Sequence, residues 1–519
     1  MMATAQDAKA VVNDSQQPVM DFLGDPTTHG GAKVTRIDTH AASVFLAGGR
    51  ALKIKRAVRF PFLDYSTLEK RKNACEAEIA VNRPFAPAIY RGVVAVTRAS
   101  DGRLAIGGEG DAVEWAVDMR RFDESMTLDH LAERGEIDER LADALARAVA
   151  KAHAGAPKGN GFAAELAEII AQNEAELAAR PDLFASTEAK ALGAATRAAF
   201  ERLRPLIEAR ERAGRVARCH GDLHLGNIVL FDGEPMLFDA IEFDPKLATG
   251  DVFYDLAFLL MDLIERGLRV AANVVLNRYL AERRLSDDLD ALAALPLFLS
   301  VRAAIRAKVT AARAQRSEDR AAAEQSARDY FALAHELIAP PPPQLLAVGG
   351  LSGTGKSLLA RALAPEITPA PGAVVLRSDV ERKALFGLAE TARLPQAAYA
   401  RAVTERVYAA IADQARRVVA AGHSAIADAV FADPAERTSV AHAAGNVAFH
   451  GLFLTAELSV RLARVGQRAR DASDADAAVA RAQEQYDLGA LDWAMVDASG
   501  TPAQTLQRAQ SMLTKQAMR

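Results

Sequence analysis

The apolar and polar positions of the first 122 residues alternate in the manner of β-strands, with one helical interruption at 66–82. Residues 34–56 read as two strands around the turn AGGR, and further strands are predicted at 89–97, 103–108 and 113–122. Beyond this point the apolar spacing becomes helical, over 126–135, 137–155, 162–179, 187–213, 254–267, 269–283, 287–313 and 317–338. We therefore predict a flexible arm over 1–30, a small lobe over 31–122 and a helical large lobe over 123–338.

A run of four prolines at 340–343 is the clearest boundary in the chain. Consecutive prolines cannot continue a helix and form a stiff spacer, so residues 339–343 are predicted to be a linker. Beyond the linker, helical segments separate five apolar strands, predicted at 344–350, 373–379, 423–429, 447–456 and 494–499. This alternation is typical of a parallel α/β sheet, and residues 344–519 are predicted to form a separate domain.

Composition excludes several classes of function. A chain of 519 residues is long enough for two or three domains, and its Ala-rich content with only 6% aromatics favours helices. The net charge of −4 provides no basic field for nucleic acid or an anionic membrane. The most apolar helical stretch, 256–264, is shorter than the about 20 residues that a membrane span requires. Two cysteines and a polar N-terminus without an apolar leader indicate a cytoplasmic protein.

The segment RCHGDLHLGNIVLFDGEPMLFDAIEFD, residues 218–244, contains the polar residues with the most informative spacing. Asp222 and Asn227 are five residues apart, as are the base and the metal-binding Asn in the catalytic loop of protein kinases. The apolar runs on either side of DGEP predict a short hairpin that returns Asp239 to Asn227. Carboxylates and an amide are suitable ligands for Mg²⁺, so this segment predicts a phosphoryl-transfer site.

HGDLHLGN, LFDAIEFD and GDVFYDLAF (250–258) together resemble the aminoglycoside phosphotransferase and choline kinase-like family. The resemblance implies a two-lobed protein-kinase-like fold in which Asp222 is the catalytic base and Asn227 and Asp239 bind Mg²⁺. It also implies that Lys53 contacts the ATP phosphates and pairs with Glu78. Sequence leaves the neighbouring residues Lys55 and Glu76 as alternatives for that ion pair, because it does not show which side chains face inward.

Other polar residues of this half are predicted to have supporting roles. His220 and His224 are expected to hold the catalytic loop, and Asp251 and Asp255 are expected to act as scaffold. The later helices contain several arginines, which argue against a polycationic antibiotic as the substrate; they are Arg302, Arg306, Arg313 and Arg316.

The second half begins with GLSGTGKS, which is the pattern GxxxxGK[ST] between a predicted strand and a predicted helix. Its backbone N–H groups and the helix N-terminus are expected to bind the phosphates of ATP. Lys356 is expected to reach the β and γ phosphates, and the Ser357 hydroxyl is expected to bind Mg²⁺. The predicted nucleotide-binding residues are therefore Gly350, Ser352, Gly353, Thr354, Gly355, Lys356 and Ser357.

Asp379 and Asp428 each end an apolar strand, at the sheet edge where such folds bind ligands. Asp428 is expected to bind Mg²⁺ and Asp379 to act as the base for the acceptor hydroxyl. RSDxxRK (377–383) and DAxFxxxxxR (428–437) resemble small P-loop kinases of the gluconate kinase and zeta-toxin type. That resemblance implies an arginine-bearing lid, with Arg464, Arg468 and Arg470 as candidates for stabilising the transferred phosphoryl group. Arg377, Arg382 and Arg437 are equally consistent with substrate anchors and with surface charges.

In this order the two halves resemble a bacterial fusion of a phosphotransferase with a P-loop kinase. The leading hypothesis is a bifunctional kinase that uses ATP and Mg²⁺ in each half to phosphorylate a small hydroxylated acceptor. Alternatively, one half is a nucleotide sensor that regulates the other, or the protein is an aminoglycoside resistance enzyme. Neither acceptor is marked by a motif, and neither is the oligomeric state.

Overall fold

A computed structural model describes residues 16–60, 63–315, 319–466 and 472–517. These residues divide into two compact units. The first unit comprises the described residues up to Asp262, together with Val301–Arg328. The second comprises Leu263–Ser300 and the described residues from Asp329 onward. Helices that follow the catalytic segment in sequence, from Leu263 to Ser300, therefore pack within the unit that contains the P-loop.

The small lobe of the first unit is built on an antiparallel sheet of six strands in the order β1-β2-β3-β8-β6-β7, and β4 and β5 form a separate pair. Its strands are β1 (Val34–Asp38), β2 (Ala42–Ala47), β3 (Arg50–Lys55), β4 (Arg59–Phe60), β5 (Leu63–Asp64), β6 (Tyr90–Arg98), β7 (Leu104–Ile106) and β8 (Asp111–Arg120). Residues 34–56 thus contain three strands where the pattern predicts two. The additional turn forms because the Thr39 backbone N–H and hydroxyl both bond to the carbonyl of Ala42, and the Ala42 N–H bonds to the Thr39 hydroxyl.

The first described residues differ from the predicted loose arm. Helix α1 (Gln17–Gly24) buries Val19, Met20 and Leu23 against Phe45 and the neighbouring apolar residues of the sheet. The Gln16 side chain also bonds to the sheet, donating to the carbonyl of Lys55 at 2.9 Å and accepting from the N–H of Ala57 at 2.8 Å. Apolar burial and these hydrogen bonds together fix the segment to the lobe.

The rest of the first unit is helical, with short strand pairs that carry the catalytic segment. The helices are α2 (Leu68–Asn82), α3 (Leu128–Glu133), α4 (Glu139–Gly155), α5 (Phe162–Ala178), α6 (Ser186–Arg212), α7 (Pro245–Ala248) and α8 (Val252–Glu265). The short strands are β9 (Val216–Arg218), β10 (Ile228–Phe231), β11 (Glu234–Leu237) and β12 (Thr249–Asp251), paired as β10 with β11 and β9 with β12. The side chains of Thr67 and Asp138 cap α2 and α4, which explains where these helices begin.

Among the described residues, four further α-helices follow α8 and precede the proline run: α9 (Arg269–Arg283), α10 (Ser286–Ala291), α11 (Leu295–Ala314) and α12 (Arg320–Ile338). Among the described helices, none combines the length and apolar character needed to cross a membrane.

The second unit is a parallel sheet with helices between its strands, in the order β14-β15-β13-β16-β17. The strands are β13 (Gln344–Gly350), β14 (Val374–Arg377), β15 (Ala425–Asp428), β16 (Ala448–Thr455) and β17 (Ala494–Asp497). The helices are α13 (Lys356–Leu363), α14 (Ser378–Leu385), α15 (Arg401–Ala420), α16 (Pro434–Ala443), α17 (Leu458–Gly466), α18 (Ala477–Ala482) and α19 (Pro502–Ala517), of which α19 is not among the predictions. The predicted fold class, a kinase-like half followed by a parallel-sheet P-loop half, is confirmed.

Candidate active sites

The catalytic loop of the first unit follows β9 and places Asp222 beside Asn227. The Nδ2 of Asn227 donates to the backbone carbonyl of Asp222 at 3.0 Å and to its Oδ2 at 3.1 Å. The Asp222 carboxylate remains 42% exposed, and the Nε2 of His224 lies 3.5 Å from its Oδ2. Burial opposes ionisation, but the hydrogen bond and charge of His224 prevail and hold the pKa of Asp222 below its ordinary value. Asp222 is therefore ionised and accessible, as a base must be.

Asp255 on α8 holds the backbone of this loop by accepting hydrogen bonds from it. Its two carboxylate oxygens accept the N–H groups of His220 at 3.3 Å and Gly221 at 2.8 Å. The Nε2 of His153 lies 3.1 Å from Asp255, and the Nε2 of His220 donates to the carbonyl of Phe238 at 2.9 Å. Burial lowers the pKa of His220, which keeps the ring neutral. In this geometry His220 and Asp255 support the loop.

Asp251 has a similar supporting position at the end of β12. It forms a buried two-point ion pair with Arg210, at 2.7 and 2.9 Å. Arg210 lies in α6, more than 40 residues before Asp251 in the sequence, and sequence reasoning missed it.

Asp239 follows β11 in a left-handed backbone conformation, with φ of 59°. The Nζ of Lys53 lies 2.9 Å from the Oδ1 of Asp239 and 2.9 Å from the Oε1 of Glu78. Lys55 also contacts Glu78, with its Nζ 2.6 Å from Oε2, and lies 2.6 Å from the Oε1 of Glu242. Glu78 therefore bridges the two lysines of β3.

Glu76, the alternative partner, lies on the outer face of α2 and is paired with Lys72 at 3.7 Å. The two lysines of β3 differ in accessibility, since the side chain of Lys53 is 16% exposed and that of Lys55 only 3%. Burial opposes ionisation of Glu78, but the charges of Lys53 and Lys55 outweigh this effect and lower the pKa of Glu78 to about 2. Burial opposes the charge of each lysine, but Asp239 and Glu78 raise the pKa of Lys53, and Glu78 and Glu242 raise the pKa of Lys55.

Three residues that the sequence analysis missed fix the segment around Asp239. Asn82, one helical turn after Glu78, accepts the N–H of Ala240 at 2.7 Å. The hydroxyl of Tyr90 accepts the N–H of Asp239 at 3.2 Å. Glu242 lies within the motif LFDAIEFD, three residues after Asp239. This short spacing is the feature of the sequence that could have indicated its role near Asp239.

A cavity of about 510 Å³ lies on the face of the small-lobe sheet that carries Lys53. Side chains alternate along a strand, and strand register places Val44 opposite Lys53, and Ile37 opposite Val44, on this face. The cavity is lined by Thr35, Ile37, Leu46, Gly48, Arg121, Phe122, Asp123 and Glu124. The small-lobe sheet and the segment after β8 thus line a space within the size range of small-molecule sites.

The residues of the first unit fit a magnesium ion. Asp239 offers a half-exposed carboxylate, and Asn227 retains its amide oxygen because its NH₂ group is donated to Asp222. Both are hard oxygen ligands of the kind that Mg²⁺ prefers.

The P-loop of the second unit connects β13 to α13, and glycine is required at two of its positions. Gly350 has φ of 138°, and a Cβ there would lie 2.6 Å from the carbonyl oxygen of Leu454. Gly353 has φ of 90°, and a Cβ would lie 2.7 Å from the carbonyl oxygen of Arg461. Gly355 precedes α13 with φ of 96°. This backbone and the start of α13 fit a phosphate group.

The P-loop opens onto a cavity of about 1170 Å³, large enough for a nucleotide and an acceptor together. Residues 352–357, including Lys356 and Ser357, line it together with Asp379, Asp428 and Arg464. Parallel strands β14 and β15 end side by side, which brings Asp379 at the start of α14 to the same sheet edge as Asp428. Burial raises the pKa of Asp379, the charge of Lys356 opposes this, and Asp428 adds to the rise.

The arginines of this unit have defined contacts. Arg464 donates to the carbonyls of Thr354 at 3.4 Å and Gly500 at 2.7 Å, which places it against the P-loop backbone. Arg468 and Arg470 lie outside the described residues. The guanidinium of Arg377 lies 3.4 Å from Asp428.

Arg437 is neither a substrate anchor nor a surface charge. It is buried and donates to four backbone carbonyls, those of Phe431, Ala432, Leu488 and Ala490. Arg382 is also buried and donates to the carbonyl of Ala398 at 2.8 Å and to the hydroxyl of Thr404 at 3.1 Å, although it still lines the cavity.

Two further residues that sequence reasoning missed hold the P-loop. Buried Arg461 donates from Nε to the carbonyl of Ser352 at 2.9 Å, and Gln483 accepts the Ser352 N–H at 2.7 Å. Arg461 precedes the predicted Arg464 by three residues on α17, so the two side chains lie on one side of that helix.

Arg302, one of the arginines that argue against a polycationic substrate, is buried. Arg302 is 6% exposed and stacks on the ring of Tyr254, with the guanidinium carbon 3.9 Å from the ring centroid. It also donates to the carbonyl of Gly221 at 3.3 Å. Arg302 therefore supports the loop that contains Asp222.

Comparison with known proteins agrees with this geometry. Residues 56–295 match the phosphotransferase enzyme family, and residues 345–487 match the family described as AAA domain. The chain therefore combines a region that matches a phosphotransferase family with a second region, containing the P-loop, that matches the AAA domain.

The particular family is shown by a mycobacterial relative. Over 360 residues the chain is 31% identical to "Uncharacterized protein Rv2004c" of Mycobacterium tuberculosis (strain ATCC 25618 / H37Rv), covering 67% of this chain and 68% of that protein. The chain belongs to the same family.

Solved structures of small-molecule kinases are more distant. A gluconokinase from Sinorhizobium meliloti 1021 is 20% identical, covers 34% of this chain and 94% of its own, and has a TM-score of 0.26. A choline/ethanolamine kinase family protein from Mesorhizobium loti is 15% identical, covers 62% of this chain and 94% of its own, and has a TM-score of 0.37.

Proposed function

We propose that the protein is a bifunctional kinase, in which each half transfers the γ-phosphoryl group of ATP to a hydroxyl group of a small acceptor. The observation that carries the proposal is that each unit by itself assembles a lysine, acidic groups and a candidate base. In the first unit, Lys53 lies 2.9 Å from both Glu78 and Asp239. In the second, Lys356, Asp379 and Asp428 line one cavity with the P-loop.

In the first unit, Asp222 accepts the proton of the acceptor hydroxyl as that oxygen attacks the γ-phosphorus. The bond between the γ-phosphorus and the β–γ bridging oxygen breaks, and ADP leaves. The lowered pKa of Asp222 keeps it ionised at neutral pH. Asn227 and Asp239 would hold Mg²⁺, which would neutralise charge on the phosphates. Lys53, oriented by Glu78, contacts the phosphates, while the more deeply buried Lys55 stays with Glu78 and Glu242.

In the second unit, the P-loop from Gly350 to Ser357 cradles the phosphates, and Lys356 contacts the β and γ groups. Ser357 and Asp428 would hold Mg²⁺, and Asp379 takes the acceptor proton. Arg464, at the P-loop, and Arg468 stabilise charge on the transferred group.

The test measures ATP turnover by Asp222→Asn, Lys356→Ala and the double variant of the full chain. Each single variant is expected to retain the turnover of the other unit, and the double variant is expected to lose at least about a hundredfold. Asp232→Asn, an exposed hairpin residue, is the matched control and is expected to match the wild type. Wild-type turnover in the double variant would refute the proposal.

The acceptors are then identified by γ-phosphate transfer to a panel of sugars, amino alcohols and aminoglycosides. Running the panel on Asp222→Asn and Lys356→Ala assigns each acceptor to one unit. A unit that binds ATP tightly and transfers phosphate to no member would instead support a nucleotide-sensing role.

A further inference from the structure

Strand β14 is an edge strand of the parallel sheet, because its one strand neighbour in the described sheet is β15. An edge strand exposes a row of backbone N–H and C=O groups that need other partners. The strand is also directly connected to the proposed chemistry, since Asp379 follows Val375 by four residues and lies in the first turn of α14.

Helix α9 provides these partners through the side chains of two asparagines. The Oδ1 of Asn277 accepts the N–H of Val375 at 2.7 Å. The Nδ2 atoms of Asn273 and Asn277 both donate to the carbonyl of Ala373, each at 3.1 Å. Asn273 and Asn277 are four residues apart, which places them on one face of the helix. Their amides thus take the place of a neighbouring strand.

Asn273 occupies a position where an apolar residue would be the ordinary choice, and Asn277 is partly buried one helical turn later. Asn273 is 4% exposed, and its neighbours Ala272, Val275 and Leu276 are buried. Asparagine is a poorer helix former than leucine or alanine, and a buried amide is costly unless its hydrogen bonds are made. The hydrogen bonds to Ala373 and Val375 offset the cost of burying the amide.

Two ion pairs join helices that precede the proline run to the domain that follows it. Arg278 of α9 pairs with Glu390 at 2.8 Å. Arg417 of α15 makes a two-point contact with Asp290 of α10, at 3.0 and 2.6 Å. Helices α9 and α10 are thus each joined to the P-loop domain by an ion pair.

Helix α9 lies inside the range 56–295 that matches the phosphotransferase family, yet it packs in the unit of the P-loop. We propose that Asn273 and Asn277 are positioning residues of the P-loop active site, which hold β14 and thereby Asp379 at the cavity. The inference rests on the proposed function of Asp379 as a base. The P-loop site is then incomplete without a helix from the other side of the proline run.

The experiment uses the full chain with Asp222→Asn, so that ATP hydrolysis reports the P-loop unit. Asn277→Leu is compared with Asn277→Asp, which keeps an oxygen to accept the Val375 N–H. A matched control is Asn173→Leu, which removes a buried asparagine that donates to a helix carbonyl in the first unit. Each variant is measured for Mg·ATP hydrolysis and for amide hydrogen exchange of residues 373–379.

Asn277→Leu is expected to speed amide exchange at Val375 about tenfold, because loss of one hydrogen bond corresponds to roughly that factor. We expect kcat to fall about tenfold to a hundredfold, as it does when a catalytic group is displaced by about 1 Å. The KM for Mg·ATP is expected to change less than about twofold, because the P-loop is untouched. Asn277→Asp should restore most of kcat, and Asn173→Leu should change neither readout.

Unchanged exchange at Val375, or a parallel loss of kcat and ATP affinity, would overturn the inference. A merely structural role would lower the melting temperature and leave the kcat of the folded protein unchanged, which would also overturn it. Should the Asp222→Asn parent hydrolyse no ATP, the proposed function fails at this site. The exchange measurement then decides alone, with faster exchange supporting the role of Asn277 and unchanged exchange refuting it.

Discussion

Replacement of Lys55 by methionine tests how the two lysines of β3 divide their roles. Lys55 is the more deeply buried of the two and lies 2.6 Å from both Glu78 and Glu242. Methionine preserves much of the side-chain volume and removes the charge. Glu78 would keep Lys53 as a partner, whereas Glu242 would lose the ion pair that anchors it.

The magnitude follows from the pKa of Glu78, which is lowered from an ordinary 4.5 to about 2. That difference corresponds to about 3 kcal/mol at neutral pH and is shared between Lys53 and Lys55, so it is an upper bound on what Lys55 contributes through Glu78. Removing one partner of a buried ion pair costs about 3–5 kcal/mol, so we expect a loss in this range for Lys55→Met. In a unit of this size, each kcal/mol lowers the melting temperature by about 2–4 °C.

The effect should depend on pH with a definite sign. A carboxylate whose pKa is lowered by folding stabilises the protein above its unfolded pKa, and this stabilisation is lost as pH falls through the folded pKa. The destabilisation by Lys55→Met is therefore expected to be full at pH 7. The part that is due to Glu78 should shrink between about pH 4.5 and pH 2.

The assay is thermal unfolding together with Mg·ATP titration, with Lys53→Met as the comparison. Lys53→Met should reduce the ATP affinity and turnover of the first unit, with a smaller loss of stability, because its side chain is more exposed. Glu76→Gln, which breaks a surface pair on α2, should change stability by no more than about 0.5 kcal/mol. Our reasoning is refuted if Lys55→Met costs less than about 1 kcal/mol, or if it reduces ATP affinity more than Lys53→Met does.

Three further predictions concern single residues. Asp255→Asn removes the charged acceptor of two catalytic-loop N–H groups. In a Lys356→Ala background, we expect the kcat of the first unit to fall at least about tenfold, while the circular dichroism spectrum stays unchanged. Gly353→Ala should abolish Mg·ATP binding at the P-loop measured by calorimetry, because φ of 90° and a contact at 2.7 Å leave no room for a Cβ; retained affinity would contradict this geometry. Burial lowers the pKa of His423 to about 4, so acid is expected to cost the second unit up to about 3 kcal/mol between pH 6.5 and 4, and chemical unfolding of His423→Gln should lack this component.

Local patterns in the sequence were sufficient to predict the strands and helices that surround each motif. The P-loop glycines, the run from Asp222 to Asn227 and the two strand-end aspartates are adjacent to predicted elements, and their chemistry depends on short-range spacing. The extra turn at Thr39 escaped prediction because side-chain hydrogen bonds, and not a Gly or Pro signal, form it.

Residues that act through long-range packing could not be predicted in the same way. Lys53 and Lys55 lie on one face of β3, so the alternation of strand side chains cannot separate them. Glu76 and Glu78 lie on different faces of α2, and only the packing of that helix decides which faces inward. Arg302 and Arg437 look like surface charges because residue type does not reveal burial. The contacts of Asn277 with β14 span nearly 100 residues of sequence and have no local signal.

The central claim is that one chain contains two independent sites for Mg·ATP, and its most direct test is the binding stoichiometry. Calorimetric titration with a non-hydrolysable ATP analogue and Mg²⁺ is expected to give two sites in the wild type. We expect one site each in Asp239→Asn and Lys356→Ala, and none in the double variant. A single site in the wild type, or an unchanged stoichiometry in either single variant, would contradict the claim.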